Sequence, residues 1–298
     1  LLRGLATARR LPAGLGRLRV TDDVVSGTWT DVTNLPTSLG DLNSVIVFGG
    51  RVYLAGSTGV LAFSSDLQTW GTVDLGGAVQ RLVSNGTRLV AVGPSGLLRF
   101  STDPTSSWAT AAISFSGGVV QDLHDAVYSE AGYWVAVGNA GTVLVSANAD
   151  AAVWSAATGS SQSADLKSVA ALKVQIPNST TFDYKLVAVG ASGAVGYSND
   201  GLNWSWQALG SGSGLTQVSA RSQTQVMLDS TVHRIPDGDS APRVFCAQRF
   251  PCLLSPGLNE LVAVLGFISG FWRRQRLFWA AACLCRLHPE TTACPHVS

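Results

Sequence analysis

The chain has little of what a helical or a disordered protein needs. Only 13% of its 298 residues are charged and it holds one methionine; a helical bundle would call for more Glu, Lys and Leu. Apolar residues make up 46%, too many for a chain that stays unfolded. No segment reaches eighteen continuous apolar residues, so no membrane span is expected. The nearest, 261–272, is short and runs into Arg273-Arg274-Gln275-Arg276. Cysteine is missing from the body: all five lie at Cys246, Cys252, Cys283, Cys285 and Cys294. An odd count argues against a complete disulfide framework. Cys283-x-Cys285 with His288 and His296 lacks metal-ligand spacing, so neither a metal nor a cofactor is expected.

Charge divides the chain into three stretches. Residues 1–20 carry Arg3, Arg9, Arg10, Arg17 and Arg19 and no acid; they read as a disordered leader, with the charge though not the serine content of an organelle transit peptide. The first residue is Leu1 rather than Met, which reads as a fragment or a processed product. A secreted or an organellar location both fit, and the compartment stays open. Residues 21–221 carry five Arg and three Lys against fourteen acids. This mildly acidic body has no electrostatic footprint for nucleic acid. Residues 222–298 hold seven Arg, no Lys and five acids.

What is abundant is glycine, 32 residues, and it recurs in a pattern. Four segments align: Val52-Tyr-Leu-Ala-Gly56-Ser-Thr-Gly59 through Trp70, Leu89-Val-Ala-Val-Gly93-Pro-Ser-Gly96 through Trp108, Trp134-Val-Ala-Val-Gly138-Asn-Ala-Gly141 through Trp154, and Leu186-Val-Ala-Val-Gly190-Ala-Ser-Gly193 through Trp204. Each is an apolar strand, Gly-x-x-Gly, a second strand, a polar turn and a tryptophan. Ser26-Gly27-Thr28-Trp29 looks like the end of an earlier copy. The tryptophans Trp29, Trp70, Trp108, Trp154 and Trp204 lie 41, 38, 46 and 50 residues apart, the length of a four-stranded propeller blade. In the first full copy the strands fall at about 42–48, 51–55, 59–64 and 69–74. Gly49-Gly50 and Asn85-Gly86 supply hairpin turns, and Gly-x-x-Gly is expected to serve the next hairpin. With no helix after it and no Lys nearby it does not read as a phosphate cradle.

The polar turns read Ser64-Ser65-Asp66-Leu67-Gln68-Thr69-Trp70, Ser101-Thr102-Asp103 through Trp108, and Ser198-Asn199-Asp200-Gly201-Leu202-Asn203-Trp204. A degenerate copy runs from Ser146-Ala147-Asn148-Ala149-Asp150 to Trp154. A short Asp can accept hydrogen bonds from the N–H groups of its own turn, and the Trp can bury its ring between sheets while still pairing its indole N–H. These turns resemble the Asp-box, or bacterial neuraminidase repeat, Ser-x-Asp-x-Gly-x-Thr-Trp. The resemblance covers about residues 26–220 and is similar to sialidase-like propellers and to propellers of the photosystem II assembly factor type. It implies an all-β chain: a β-propeller of four-stranded antiparallel blades with Asp-box turns, about four full blades (41–75, 79–113, 121–158, 165–209) plus partial ones, and incomplete. In such a fold Ser64, Asp66, Trp70, Ser101, Asp103, Trp108, Ser146, Trp154, Ser198, Asp200 and Trp204 are structural, on the outer rim.

Leu215-Thr-Gln-Val-Ser219 looks like the first strand of a further blade with no partner strand after it. From about Gln223 the pattern ends, and 222–298 is read as an unpatterned tail. A wrong reading frame or retained intron is the preferred source, a genuine module the alternative.

No active site stands out. His124 sits between Asp122 and Asp125, the setting of a general base oriented by a carboxylate, but without a nucleophile motif it reads as a surface or strand-edge residue. Arg234-Ile235-Pro236 matches a sialidase tripeptide in the wrong place. The body offers Arg51, Arg81, Arg88, Arg99 and Arg221 and a single glutamate, Glu130, with no pair of carboxyl groups to nominate for glycoside hydrolysis. Asn85-Gly86-Thr87, Asn178-Ser179-Thr180 and Asn203-Trp204-Ser205 are N-glycosylation sequons. The function expected is a non-catalytic scaffold that binds a protein or other macromolecular partner through inter-blade loops, for example 76–79, 117–122 and 210–214. The alternatives are a sialidase-type glycoside hydrolase and a carbohydrate-binding propeller.

Overall fold

A computed structural model describes residues 4–8, 17–21, 28–114, 121–158, 162–176, 178–209, 214–222, 225–229, 231–234 and 260–263. All belong to one compact unit within Leu1–Leu265. The described residues are strands, turns and four single-turn 3-10 segments.

Six sheets follow one another along the chain. The first joins β1 (Gly4–Ala8), β2 (Arg17–Thr21) and β3 (Thr30–Val32) with β24 (Glu260–Ala263), which pairs antiparallel with β1. Blade 1 is β4 (Leu42–Phe48), β5 (Arg51–Gly56), β6 (Val60–Ser64) and β7 (Gly71–Asp74), close to the expected bounds. Blade 2 is β8 (Arg81–Ser84), β9 (Leu89–Val92), β10 (Leu98–Ser101) and β11 (Ala109–Thr110). The chain then gives β12 (Ala112–Ser114), which leaves blade 2 and pairs parallel with the outer strand of blade 3. Blade 3 is β13 (Leu123–Ser129), β14 (Tyr133–Gly138), β15 (Val143–Ser146) and β16 (Val153–Ala156). Blade 4 is β17 (Leu166–Gln175), β18 (Phe182–Gly190), β19 (Ala194–Ser198) and β20 (Ser205–Ala208). A three-stranded sheet follows, β21 (Val218–Ser222), β22 (Gln225–Leu228) and β23 (Thr231–Arg234).

The first strands β4, β8, β13, β17 and β21 neighbour one another in chain order, so successive blades stand side by side. The apolar second strands explain why. In β9, Leu89 and Ala91 pack toward blade 1, and Val90 and Val92 toward blade 3. The same split holds for Trp134/Ala136 against Val135/Val137, and for Leu186/Ala188 against Val187/Val189. A strand buried on both faces reads as one continuous apolar run, and its period of two deals alternate side chains to the two neighbouring cores. Five such cores lie between consecutive sheets. Consecutive four-stranded antiparallel blades sharing their cores define a β-propeller.

The ends of the chain differ from expectation. Two strands, β1 and β2, fall at the stretch read as a leader, and Leu18 and Val20 of β2 pack into the blade 1 core. Three fall in the stretch read as unpatterned. Leu215–Ser219 does acquire partners, because Ser222 pairs with Gln225 across a tight hairpin and Val218, Val226 and Leu228 join the blade 4 core. That sheet lacks Gly-x-x-Gly, so its continuation carried no repeat signal. All five cysteines, His288, His296, Ile235, Pro236 and the loops 117–120 and 210–213 lie outside the described residues.

Candidate functional site

An antiparallel blade has two ends. At one lie the first hairpin turn and the polar turn before each tryptophan; at the other lie Gly-x-x-Gly and the loop leading into the next blade.

The second end is pinned by backbone contacts in every blade. The first glycine of each Gly-x-x-Gly is extended, with φ of −169° at Gly93 and Gly190 and −162° at Gly138, so conformation does not demand glycine there. Space does. A Cβ on Gly56, Gly93, Gly138 or Gly190 would sit 2.0, 2.1, 2.1 or 2.1 Å from the carbonyl oxygen of Asp41, Ala78, Asp122 or Asp165. The close approach lets Ser57, Asn139 and Ala191 donate N–H to the oxygens of Asp41, Asp122 and Asp165 at 2.8–2.9 Å. The loop of the next blade is tied on as well, with N–H groups of Val79, Leu123 and Leu215 donating to the oxygens of Gly56, Gly93 and Gly190.

Carboxylates extend the pinning across blades. Ser95, Ala140 and Ser192 are left-handed, with φ of 54°, 51° and 56°. The Ser95 N–H donates to Asp122 Oδ1 (2.8 Å) and the Ala140 N–H to Asp165 Oδ1 (3.0 Å), each acceptor lying in the following blade. The Ala140 N–H bond holds the Asp165 carboxyl below the usual carboxylate range, aided by Lys167. In the last sheet Asp229 does similar work: its Oδ1 accepts from Thr216 N–H, Thr216 Oγ1 and Gln217 N–H.

Bulges in β4, β13 and β17 put Ser44, Asp125 and Ser168 in one position, with Asn43, His124 and Lys167 as the extra residues. Asp125 is buried. Its Oδ2 accepts from Ser168 Oγ (2.7 Å) and Val169 N–H (3.1 Å) of β17, and its Oδ1 faces Arg81 Nε of β8 at 3.2 Å. One carboxylate therefore links three first strands. Ser44 does a smaller version, accepting from Leu82 N–H at 2.9 Å. Beside Asp125, His124 Nε2 lies 2.6 Å from Asn139 Oδ1 and 3.1 Å from Lys167 Nζ, and Lys167 reaches Asp165 Oδ2 at 3.4 Å. The nearby serine, Ser168, thus donates to Asp125 and not to His124, so the His–Asp–Ser set lacks the serine–imidazole hydrogen bond of a nucleophile pair. His124, Asn139, Lys167 and Asp165 form a partly exposed cluster on the loop end, while Arg81 is joined to Asp125.

At the other end, the polar turns at 64–70 and 198–204 are built alike. Asp66 Oδ1 accepts from Ser64 Oγ, Gln68 N–H and Thr69 N–H at 2.8–2.9 Å. Asp200 Oδ1 accepts from Ser198 Oγ, Leu202 N–H and Asn203 N–H at 2.8–3.1 Å. Ser64 and Ser198 Oγ in turn accept N–H from Leu67 and Gly201, both left-handed. The N–H groups of Thr69 and Gln68, with Ser64, lower the Asp66 carboxyl to about 2. Burial pushes Asp200 up, but the bonds from Asn203, Leu202 and Ser198 outweigh it and leave it lowered. Asp103 takes the Ser106 and Thr105 hydroxyls, which lower it too, and one backbone N–H, from Thr105 at 3.3 Å. Ser101 Oγ, in that copy, is buried without a partner among the described residues.

In the degenerate copy Ser146 Oγ donates to the Asn148 carbonyl. The acceptor missed in the sequence is Asp150, whose Oδ1 takes Ala152 N–H at 3.1 Å; it precedes left-handed Ala151 as Asp66 precedes Leu67. Trp70, Trp108, Trp154 and Trp204 pack into the core shared with the preceding blade. The indoles of Trp108, Trp154 and Trp204 donate to Pro104, Ala151 and Gly201 oxygens at 2.7–3.1 Å. Trp70 Nε1 is buried without a partner among the described residues.

The arginines are dispersed. Arg81 pairs with Asp125, Arg88 lies over the Phe100 ring at 5.0 Å, and Arg99 donates to Thr110 Oγ1. Glu130 is paired with Lys173 at 2.6 Å. The described residues hold no cluster of three or more His, Cys, Asp or Glu side chains able to hold a metal, and none of their helices is long and apolar enough to cross a membrane.

Fold and site thus define a β-propeller with a tightly pinned loop end. A family model described as the DUF6242 beta propeller domain matches residues 16–123. No protein among the curated sequences matches the chain. Among solved structures, the chain is similar to one described as YCF48 bound to D1 peptide, with 16% identity over 81% of this chain and 96% of that one and a TM-score of 0.37. It is also similar to the RRP9 WD40 repeats (11% identity, 64% of this chain, 59% of that one, TM-score 0.47) and to the computationally designed Ika8 protein (17%, 76%, 70%, 0.49).

Proposed function

We propose that this propeller is a non-catalytic scaffold that binds a protein partner on the end formed by Gly-x-x-Gly and the inter-blade loops. The observation that carries this reading is the pinning of that end. Backbone N–H groups and the carboxylates of Asp122 and Asp165 tie each Gly-x-x-Gly turn to the described residues that lead into the next first strand, so a partner meets turns that are already held and loses little entropy in ordering them. The cluster of His124, Asn139, Lys167 and Asp165 offers a cation and an anion together, which suits the mixed polar surface of a protein. A sialic-acid site would need arginines converging on one carboxylate, and Arg81, Arg88 and Arg99 are committed to separate partners.

On this reading the Asp-box residues at the opposite end are structural. Ser64, Asp66, Ser198 and Asp200 fix their turns, Asp103 and Asp150 serve the two looser copies, and Trp70, Trp108, Trp154 and Trp204 fill the inter-blade cores.

The test is a photo-crosslinking residue at Ser163 or Thr216 on the loop end, with Gln68 and Leu202 at the opposite end as controls; all four are exposed. A discrete protein adduct in the native extract, formed from the first pair only and weakened by Lys167→Ala, is expected. Adducts from the control pair alone, or turnover of a fluorogenic sialoside by the purified chain, would contradict the proposal.

A further inference from the structure

The three sequons all match Asn-x-Ser/Thr and differ in structure. A glycan joined to an asparagine replaces one Nδ2 hydrogen and needs solvent on all sides of the carboxamide. Asn85 lacks that solvent. Its Oδ1 accepts from Thr87 N–H, Thr87 Oγ1 and Arg88 N–H at 2.8–3.1 Å, and its Nδ2 donates across to the Ala149 oxygen of blade 3 at 3.1 Å. Sugar there would enter the gap between two blades. Asn203 is tied by Nδ2 to Asp200 Oδ2 at 2.8 Å, the middle residue Trp204 is 7% exposed in the inter-blade core, and Ser205 is paired in β20 with Tyr197.

Asn178 differs on each point. It sits at the tip of the β17–β18 hairpin, whose pairing runs from the bulge at Ser168 to Gln175↔Phe182. The matching hairpin of blade 3 runs only from Asp125 to Ser129↔Tyr133. Three further residues at ~3.4 Å each lift the tip by ~10 Å. The turn is held by Ile176, Ser179 and Thr181: Ser179 N–H donates to the Ile176 oxygen (3.1 Å), Ile176 N–H to the Thr181 oxygen (3.2 Å), and Thr181 N–H to Ser179 Oγ (3.1 Å). The Asn178 carboxamide and the Thr180 hydroxyl stand outside these bonds, and both residues are exposed. Asn178 has a φ of 59°, a left-handed conformation that asparagine tolerates better than other side chains.

We infer that Asn178 is an N-glycan acceptor of this chain, and that Asn85 and Asn203 carry no glycan in the folded protein. The sugar would project from the end of blade 4 opposite the inter-blade loops, so it leaves the loop end clear. The inference stands whether or not a partner binds there.

The full chain is secreted from eukaryotic cells behind a cleavable signal, and the cell-associated and secreted pools are both digested with an N-glycosidase and mapped by peptide mass spectrometry. One glycan is expected on the folded chain. It is lost in Asn178→Gln and Thr180→Ala, restored in Thr180→Ser, and kept in Asn85→Gln and Asn203→Gln. An unmodified Asn178 in both pools, or a protease-resistant folded chain with sugar on Asn85 or Asn203, would overturn the inference. So would an unmodified Asn178 in protein isolated from its natural source.

Discussion

Replacing Gly190 by alanine separates two reasons for a glycine. At φ −169° the backbone is extended, so alanine meets no conformational strain and gains slightly from a less free unfolded chain. Its methyl would stand 2.1 Å from the Asp165 oxygen, 2.9 Å from the Asp165 carbonyl carbon and 2.9 Å from the Leu166 Cα. An ordinary carbon–oxygen contact is about 3.3 Å, so the loop and the strand must part by about 1.2 Å at a place where both are backbone. Overpacking of this kind costs about 1–3 kcal/mol. Parting them also stretches the Ala191–Asp165 and Leu215–Gly190 hydrogen bonds, both 2.8 Å, at about 1 kcal/mol each. A loss of about 3–5 kcal/mol follows. Gly86 is the reverse case, with φ of 90° and nothing within 4 Å of an added Cβ. There Gly→Ala should cost about 1–2 kcal/mol from the left-handed backbone alone. Urea unfolding of the two variants, read as a shift in midpoint at constant m-value, compares them directly. If Gly190→Ala lost no more than Gly86→Ala, the close approach of strand and loop would not be what requires glycine.

Asp125→Ala removes the acceptor of Ser168 Oγ and Val169 N–H and the partner of Arg81. Because Arg81 is 45% exposed at its side chain and can hydrate, the cost should sit near the low end for a broken buried pair, about 3 kcal/mol. A double-mutant cycle with Ser168→Ala should give a coupling of about 1 kcal/mol, and additivity would refute the link. Trp154→Phe forfeits the 2.8 Å bond to Ala151 and should cost about 1–2 kcal/mol, whereas Trp70→Phe, which removes an indole N–H without a partner among the described residues, should cost measurably less in the same unfolding assay. Asp66 titrates near 2 in the folded chain against about 3.9 when unfolded. A lowered carboxyl contributes stability that is full above the unfolded value and is lost as pH falls through the folded one. Asp66→Asn should therefore flatten the acid limb of stability between about pH 4 and pH 2 and leave its shape at pH 7 unchanged; an Asp66 carboxyl midpoint near 4 by NMR would contradict this.

The repeat was legible because each blade solves the same packing problem with the same residues. Leu-Val-Ala-Val is apolar at every position because both faces of that strand are buried, and the strands of blade 1 fell close to their expected limits. The role of the first glycine was not legible: a close contact with Asp41, Ala78, Asp122 or Asp165 is made in three dimensions, and the sequence alone offers only the turn that follows. Asp122 and Asp165 did leave a signal. Asp-Leu stands before the first strand at 41–42, 122–123 and 165–166, and this dipeptide marks the carboxylates that reach Ser95 and Ala140. Asp150 was hidden by a two-residue insertion between serine and aspartate, so counting from Ser146 missed it, whereas counting back from Trp154 finds it. The strands at 225–228 and 231–234 carried no sign because the link after β22 has Asp229 and no Gly-x-x-Gly, although Asp229 makes the same kind of contact, donating its N–H to the Gln217 oxygen and accepting at Oδ1 from Thr216 and Gln217.

Hydrogen exchange of the free chain tests most directly whether the loop end is an ordered docking surface. The amides of Val79, Leu123, Asn139, Gly141, Ala191 and Leu215 should be protected to the same degree as those of β9, β14 and β18, since each is donated to a backbone oxygen of a Gly-x-x-Gly turn or of a loop leading into a blade. Exchange of these amides at the rate of unstructured peptide, with the strands still protected, would contradict the account.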